Sequence, residues 1–222
     1  MLGVAINGDV RAYPVKVLNF HEIVNHVVGG EKISVTYCPL TASGINFSAA
    51  AIEFGNTGGL FNNNMVMCDR ETGSFWSHMR VSSIMGSRVG ERLEMRPVFQ
   101  GIWEAWRALY PDTQVLSKIT GYRGRNYDQD IYEAYEYTTS EEIWFPNSVP
   151  IDGRFHSKDM VLGLVGERAT KGYVLGRLEG RTVINDVFEG DEIVVLFQRS
   201  ARVGMVFSRE VEGRVLTFEL VR

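Results

Sequence analysis

Cysteine is scarce in this chain of 222 residues, with only Cys38 and Cys68 present. Two thiols exclude a disulfide scaffold and a four-cysteine zinc site. Long apolar runs are also missing, since no stretch approaches the roughly 18 residues that a membrane-spanning helix needs. Nor is there an excess of positive charge. The 27 acids against 23 bases leave a formal charge of −4, which argues against nucleic acid as the main partner. No basic-then-apolar leader opens the sequence. Met1–Ile6 reads directly as a strand, so the expectation is a chain trimmed at its start. Gly58-Gly59 and Asn62-Asn63-Asn64 do not make a phosphate loop, because no Lys-Ser/Thr follows, and neither a GxSxG elbow nor HExxH occurs. The remaining composition, 45% hydrophobic and 23% charged, suits a globular chain with an ample core.

The most informative feature is internal. Residues 1–48 lie over 161–208 without a gap, and 12 of the 48 positions are identical, among them Tyr13/Tyr173, Asn25/Asn185, Gly44/Gly204 and Phe47/Phe207. Average composition would give about three matches by chance. The expectation is an α+β fold, mainly antiparallel β, in a single domain over 1–222. Two pseudo-repeat β-rich units, the second running on from 161 to 222, would flank an insert at 49–160 that carries one amphipathic helix.

Local patterns fill in this outline. Asn7-Gly8 between short apolar runs predicts a hairpin. Asn19 with Glu22 resembles a capping box, so a short helix is predicted from Asn19 towards Val27, stopped by Gly29-Gly30. Lys32–Cys38 alternates as a strand, with Ile33, Val35 and Tyr37 opposite Ser34, Thr36 and Cys38, and Pro39 ends it. Gly55–Asn64 reads as a Gly/Asn-rich loop, Asp69–Gly73 as a turn, Phe99–Tyr110 as a helix and 120–142 as irregular.

Residues shared by both repeats satisfy a common packing demand, so polar residues found in one repeat only are the candidates for chemistry. His21 faces Arg181 in this alignment, Cys38 faces Gln198, and Thr41 faces Ala201. Asn19-Phe20-His21-Glu22-Ile23-Val24-Asn25, Thr36-Tyr37-Cys38-Pro39-Leu40-Thr41 and Asp69-Arg70-Glu71-Thr72-Gly73-Ser74-Phe75-Trp76-Ser77 occur in an order that resembles the DUF3179 family of bacterial and archaeal proteins. The likeness runs over essentially the whole chain. It implies no established activity. Many relatives look exported, which implies an extracytoplasmic setting for a trimmed chain. Some relatives carry Cys or selenocysteine at the place of Thr41, giving a Cys-x-x-Cys-like pair from which this sequence departs.

A lone thiol beside a hydroxyl can act as a nucleophile, oxidise to sulfenic acid or ligate a metal. The leading expectation is a thiol-centred redox enzyme in which His21 assists Cys38, next to Thr41, on a small-molecule or thiol substrate. The alternative is copper or zinc held by His21 and Cys38, with His78 or His156 adding a third nitrogen. A non-catalytic module would instead cluster Trp76, Trp103 and Trp144 around a groove. Asp69, Arg70, Glu71, Trp76 and Ser77 are the candidates for binding substrate, and a weaker alternative is a hydrolase in which Asp69 and Glu71 do acid–base work. The bland reading of the same residues, a satisfied helix-end histidine and a space-filling cysteine, stands beside all of these.

Overall fold

A computed structural model describes residues 1–49, 52–136 and 141–221. The chain is mostly β, and nearly all of its strand pairs are antiparallel. It divides into two compact units: Met1–Val98 with Leu109–Lys158, and Phe99–Ala108 with Asp159–Arg222. No described helix is long and apolar enough to cross a membrane.

The first unit opens with the expected hairpin, β1 (Leu2–Ile6) and β2 (Asp9–Tyr13), turned by Asn7 and Gly8, both at positive φ. Helix α1 then spans Val15–His21. This corrects the helix expected from Asn19 to Val27. Pro14 precedes the first turn and presets its φ, as proline does at helix starts. Glu22, at φ 57°, breaks the helix. The β-branched run after it becomes strand β3 (Ile23–Val28). β3 pairs with β4 (Glu31–Cys38), and β4 passes through a 3₁₀ turn, Pro39–Thr41, into β5 (Ser43–Ser48). Ala42 closes that turn in the left-handed conformation.

The Gly/Asn-rich stretch is not a loop. It forms strand β6 (Phe54–Phe61) and, through Asn62 and Asn63 at positive φ, a tight hairpin into β7 (Asn64–Asp69). β8 (Phe75–Ser77) and β9 (Ser82–Met85) complete a sheet in the order β6-β7-β8-β9. A two-residue strand, β10 (Met95–Arg96), lies against β5.

Both faces of the β3-β4-β5 sheet are covered. Ile33, Val35 and Tyr37 pack with Leu2, Val4, Tyr13 and Leu18. Cys38 and Phe47 join Phe54, Met65, Met67 and Trp76 on the other side. At about 25 cal/mol per Å² of apolar surface, these aliphatic and aromatic side chains are the main source of the unit's stability.

Phe99–Tyr110 splits into a short strand, β11 (Phe99–Gln100), and helix α2 (Trp103–Leu109), in which Trp106 is buried. In the first unit β12 (Gln114–Val115) lies parallel to β2. The irregular stretch expected at 120–142 holds only the four-residue helix α3 (Glu133–Glu136), and 137–140 lie outside the described residues.

The second unit contains the hairpin β13 (Val161–Val165) and β14 (Thr170–Val174) and a three-stranded sheet. That sheet is β15 (Arg181–Phe188), β16 (Asp191–Gln198) and β17 (Val203–Ser208). A 3₁₀ turn, Arg199–Ala201, joins β16 to β17, and Arg202 closes it in the left-handed conformation. A last hairpin joins β18 (Glu210–Val211) and β19 (Arg214–Val215).

Candidate functional site

Strand β4 points Ser34, Thr36 and Cys38 towards the β6–β9 sheet, so its last residue brings a thiol into the interior. Cys38 is 2% exposed, and its Sγ–H reaches the Asn63 carbonyl at 3.9 Å. Burial pushes the thiol pKa up. Against that, the Thr41 hydroxyl and the N–H groups of Met65 and Thr41 donate to the sulfur and favour the thiolate, while the Glu22 carboxylate opposes it. The net direction is upward, so Cys38 rests as a neutral thiol.

Thr41 belongs to a longer chain of polar contacts. Its hydroxyl pairs with Ser43 Oγ at 2.8 Å and accepts Asn64 Nδ2 at 2.8 Å. The same Asn64 amide lies 3.3 Å from His78 Nδ1, and Asn64 Oδ1 accepts the Met79 N–H at 2.9 Å. On its far side His78 Nε2 sits 2.9 Å from Thr36 Oγ1, which donates to the Ile45 carbonyl. The amide can only donate to Nδ1, so the network assigns the hydrogen to Nε2. His78 is fully buried, and burial pulls its pKa down to about 3. A ring that stays neutral through the whole physiological range orients its neighbours and takes up no proton.

His21 goes elsewhere. Continuing the β3–β4 register outward from Ile23↔Thr36 would set residue 21 opposite Cys38. Helix α1 removes it from the sheet. Its Nε2 lies 2.6 Å from the Tyr127 hydroxyl, which also meets Thr120 Oγ1, and its ring packs on Tyr122. Burial, and then Arg125, lower its pKa. Neither His21 nor Cys38 has the other as a hydrogen-bond or ring partner. The imidazole that shares a network with Cys38 and Thr41 is His78.

The Asp69–Ser77 segment buries Asp69, Ser74, Trp76 and Ser77 and leaves the turn at 70–73 exposed. Burial pushes the Asp69 carboxyl up, but hydrogen bonds from Trp76 Nε1 and from Thr72 outweigh it and hold the pKa low. Trp76 is 1% exposed and packs in the core, and Ser77 is buried next to it, so neither lines an open mouth. Arg70 and Glu71 remain on the surface, paired with Glu53 and Arg88. His156 Nδ1 accepts the Lys158 N–H within its own turn. Among the described residues no three His, Cys, Asp or Glu side chains gather to hold a metal, so the set His21, Cys38, His78 and His156 is not brought together. The Trp144 ring lies tilted against Tyr135, with centroids 4.5 Å apart, whereas Trp76 is core.

Sequence reasoning missed Asn64 and Thr36. The Asn62-Asn63 hairpin signal was present and would have put Asn64 at the head of a strand. The match to the model for the "Protein of unknown function (DUF3179)" family covers residues 1–222, and the chain belongs to that family. No curated protein matches it. No solved structure does either.

Proposed function

We propose that this chain is a thiol-centred redox protein whose reacting group is the Cys38 sulfur. The observation that carries the reading is the place of the sulfur beside the Thr41–Asn64–His78 network, where the Thr41 hydroxyl and the N–H groups of Thr41 and Met65 oppose the upward push of burial on its pKa, although burial prevails. Such a cradle favours negative charge on sulfur, the state in which a thiol attacks. A cysteine that merely fills space has no use for it. In this reading the resting Cys38 thiol first gives its proton to water, the thiolate so formed attacks one sulfur of a small disulfide, its S–S bond breaks, and the other half departs as a thiolate that takes up a proton from solution. Thr41 offers no second thiol, so an external thiolate attacks the substrate sulfur of the mixed disulfide and releases Cys38. Asn64 and His78 hold Thr41 in place, and His21 takes no step.

A second proposal supports the first: the two units descend from one duplicated segment. Leu2↔Tyr13 and Leu162↔Tyr173 pair alike, as do Ile23↔Thr36 and Val183↔Leu196, and Cys38↔Ser43 and Gln198↔Val203. Every pair keeps the same offset of 160 residues that the sequence alignment has. At the positions of Thr36, Cys38, Thr41 and Ser43 the second unit has Leu196, Gln198, Ala201 and Val203. The same strand–turn–strand therefore forms without the polar set, which supports a use for that set other than folding.

Iodoacetamide labelling of Cys38, followed by peptide mass spectrometry between about pH 6 and pH 10, tests the reading. Thr41→Val shifts the labelling midpoint upward and slows mixed-disulfide formation with oxidised glutathione, while Thr41→Ser restores both. A Cys38 that reacts identically in wild type and Thr41→Val, or only after unfolding, overturns the proposal.

A further inference from the structure

An open cleft of about 180 Å³ lies in the first unit, lined by Arg11, Tyr13, His26, Gln114 and Ser117 with neighbouring backbone. It is separate from the Cys38 network. On β3, Asn25 faces Phe54 and the β6–β9 sheet, while the next residue, His26, turns to the opposite face and meets Tyr13. The Tyr13 hydroxyl lies 2.9 Å from His26 Nδ1. Arg11 bonds Asp9 through Nε and Nη2 and Gln114 through Nη1.

The second unit has the same three positions in the same register, filled by Lys171, Tyr173 and Asp186. There the Asp186 carboxylate accepts the Tyr173 hydroxyl at 2.6 Å and pairs with Lys171 Nζ at 2.6 Å. A cation and a phenol thus close on a carboxylate that the strand itself supplies. In the first unit the cation and the phenol recur, but the strand supplies an imidazole instead, and a cleft stands beside them.

We propose that this cleft binds a small carboxylate from solution beside His26, which meets the cation and the phenol of the first unit as the Asp186 carboxylate does in the second. The His26 tautomer with hydrogen on Nδ1 donates to the Tyr13 oxygen, which frees the phenol hydrogen for the ligand. Arg11 supplies the positive charge, and the Gln114 amide and Ser117 hydroxyl supply further donors. Asp9 neutralises part of Arg11, so the ligand is held mainly by hydrogen bonds and the affinity is modest.

The test is a calorimetric or NMR titration of the 222-residue chain with sodium acetate at constant ionic strength, with acetamide as the neutral control. The wild type responds saturably to acetate and not to acetamide. His26→Asp, which writes the second unit's carboxylate into the first, keeps the fold and weakens acetate binding about tenfold or more. Tyr13→Phe weakens it as well, and it serves as the deciding variant if His26→Asp does not fold. Acetate bound equally by wild type and a folded variant, or no saturable response up to about 100 mM acetate, overturns the proposal.

Discussion

The β3-β4-β5 and β15-β16-β17 sheets share their 3₁₀ turn and register, yet one face of each is filled differently. In the first sheet the face covered by β6–β9 carries Ser34, Thr36 and Cys38. In the second, Leu196 and Phe207 stand 37% and 46% exposed, whereas Phe47, the counterpart of Phe207, is fully buried. The first face thus buries polar groups and the second leaves two apolar side chains exposed beside buried Val194, both against the usual preference. The comparison separates what strand pairing requires from what a face is used for. Pairing needs the alternation, the glycines and the 3₁₀ turn, all of which recur. The polar set is additional, and it is affordable only because each member is hydrogen-bonded.

The largest effect that sharpens this contrast is Phe47→Ala against Phe207→Ala. The first leaves a cavity in the core and costs about 3–5 kcal/mol, while the second costs less than about 1 kcal/mol, measured by urea unfolding. Comparable losses would break the comparison. Acid comes next. The His78 pKa is about 3 in the fold against 6.5 unfolded, so the unfolded chain gains a proton that the folded one refuses. Stability is therefore lost as pH falls below about 6.5, at up to about 1.4 kcal/mol per pH unit. His21 and His26, also lowered by burial, act in the same direction. His78→Gln flattens the slope between about pH 6.5 and 4.5, above the range where the paired carboxylates titrate; an unchanged slope would show that His78 charges freely. The smallest contrast concerns two clamps. Asn25 holds the backbone N–H and C=O of buried Phe54, and Asn185 does the same for half-exposed Phe218. Asn25→Ala costs about 1–3 kcal/mol and Asn185→Ala less, because water replaces the lost bonds only at the second site.

Much of the framework was legible in the sequence. Asn7-Gly8 announced its hairpin through the positive φ that such a turn demands, and the alternation over 32–38 fixed which residues share a face of β4. The misreadings have physical causes. Asn19 and Glu22 mimic a capping box, but Pro14 starts the helix earlier, and the β-branched residues after Glu22 find a better partner in β4 than in a continued helix. The glycines of Gly55–Asn64 suggested a loop, yet cross-strand packing on β7 overrode their weak strand preference. Of the candidate site, Cys38 and Thr41 were visible because Gln198 and Ala201 stand at the aligned positions 160 residues on. The link from Thr41 through Asn64 to His78 was not, since it joins residues 41, 64 and 78 across two sheets and no local pattern encodes such a contact.

Ala42 and Arg202 offer a handle for engineering. Both hold a left-handed backbone with a Cβ attached, a conformation that costs an ordinary side chain about 1–2 kcal/mol. Glycine at either place would release part of that strain without touching a neighbouring face. The doubled turn is therefore a ready pair of positions for raising the melting temperature, one in each unit.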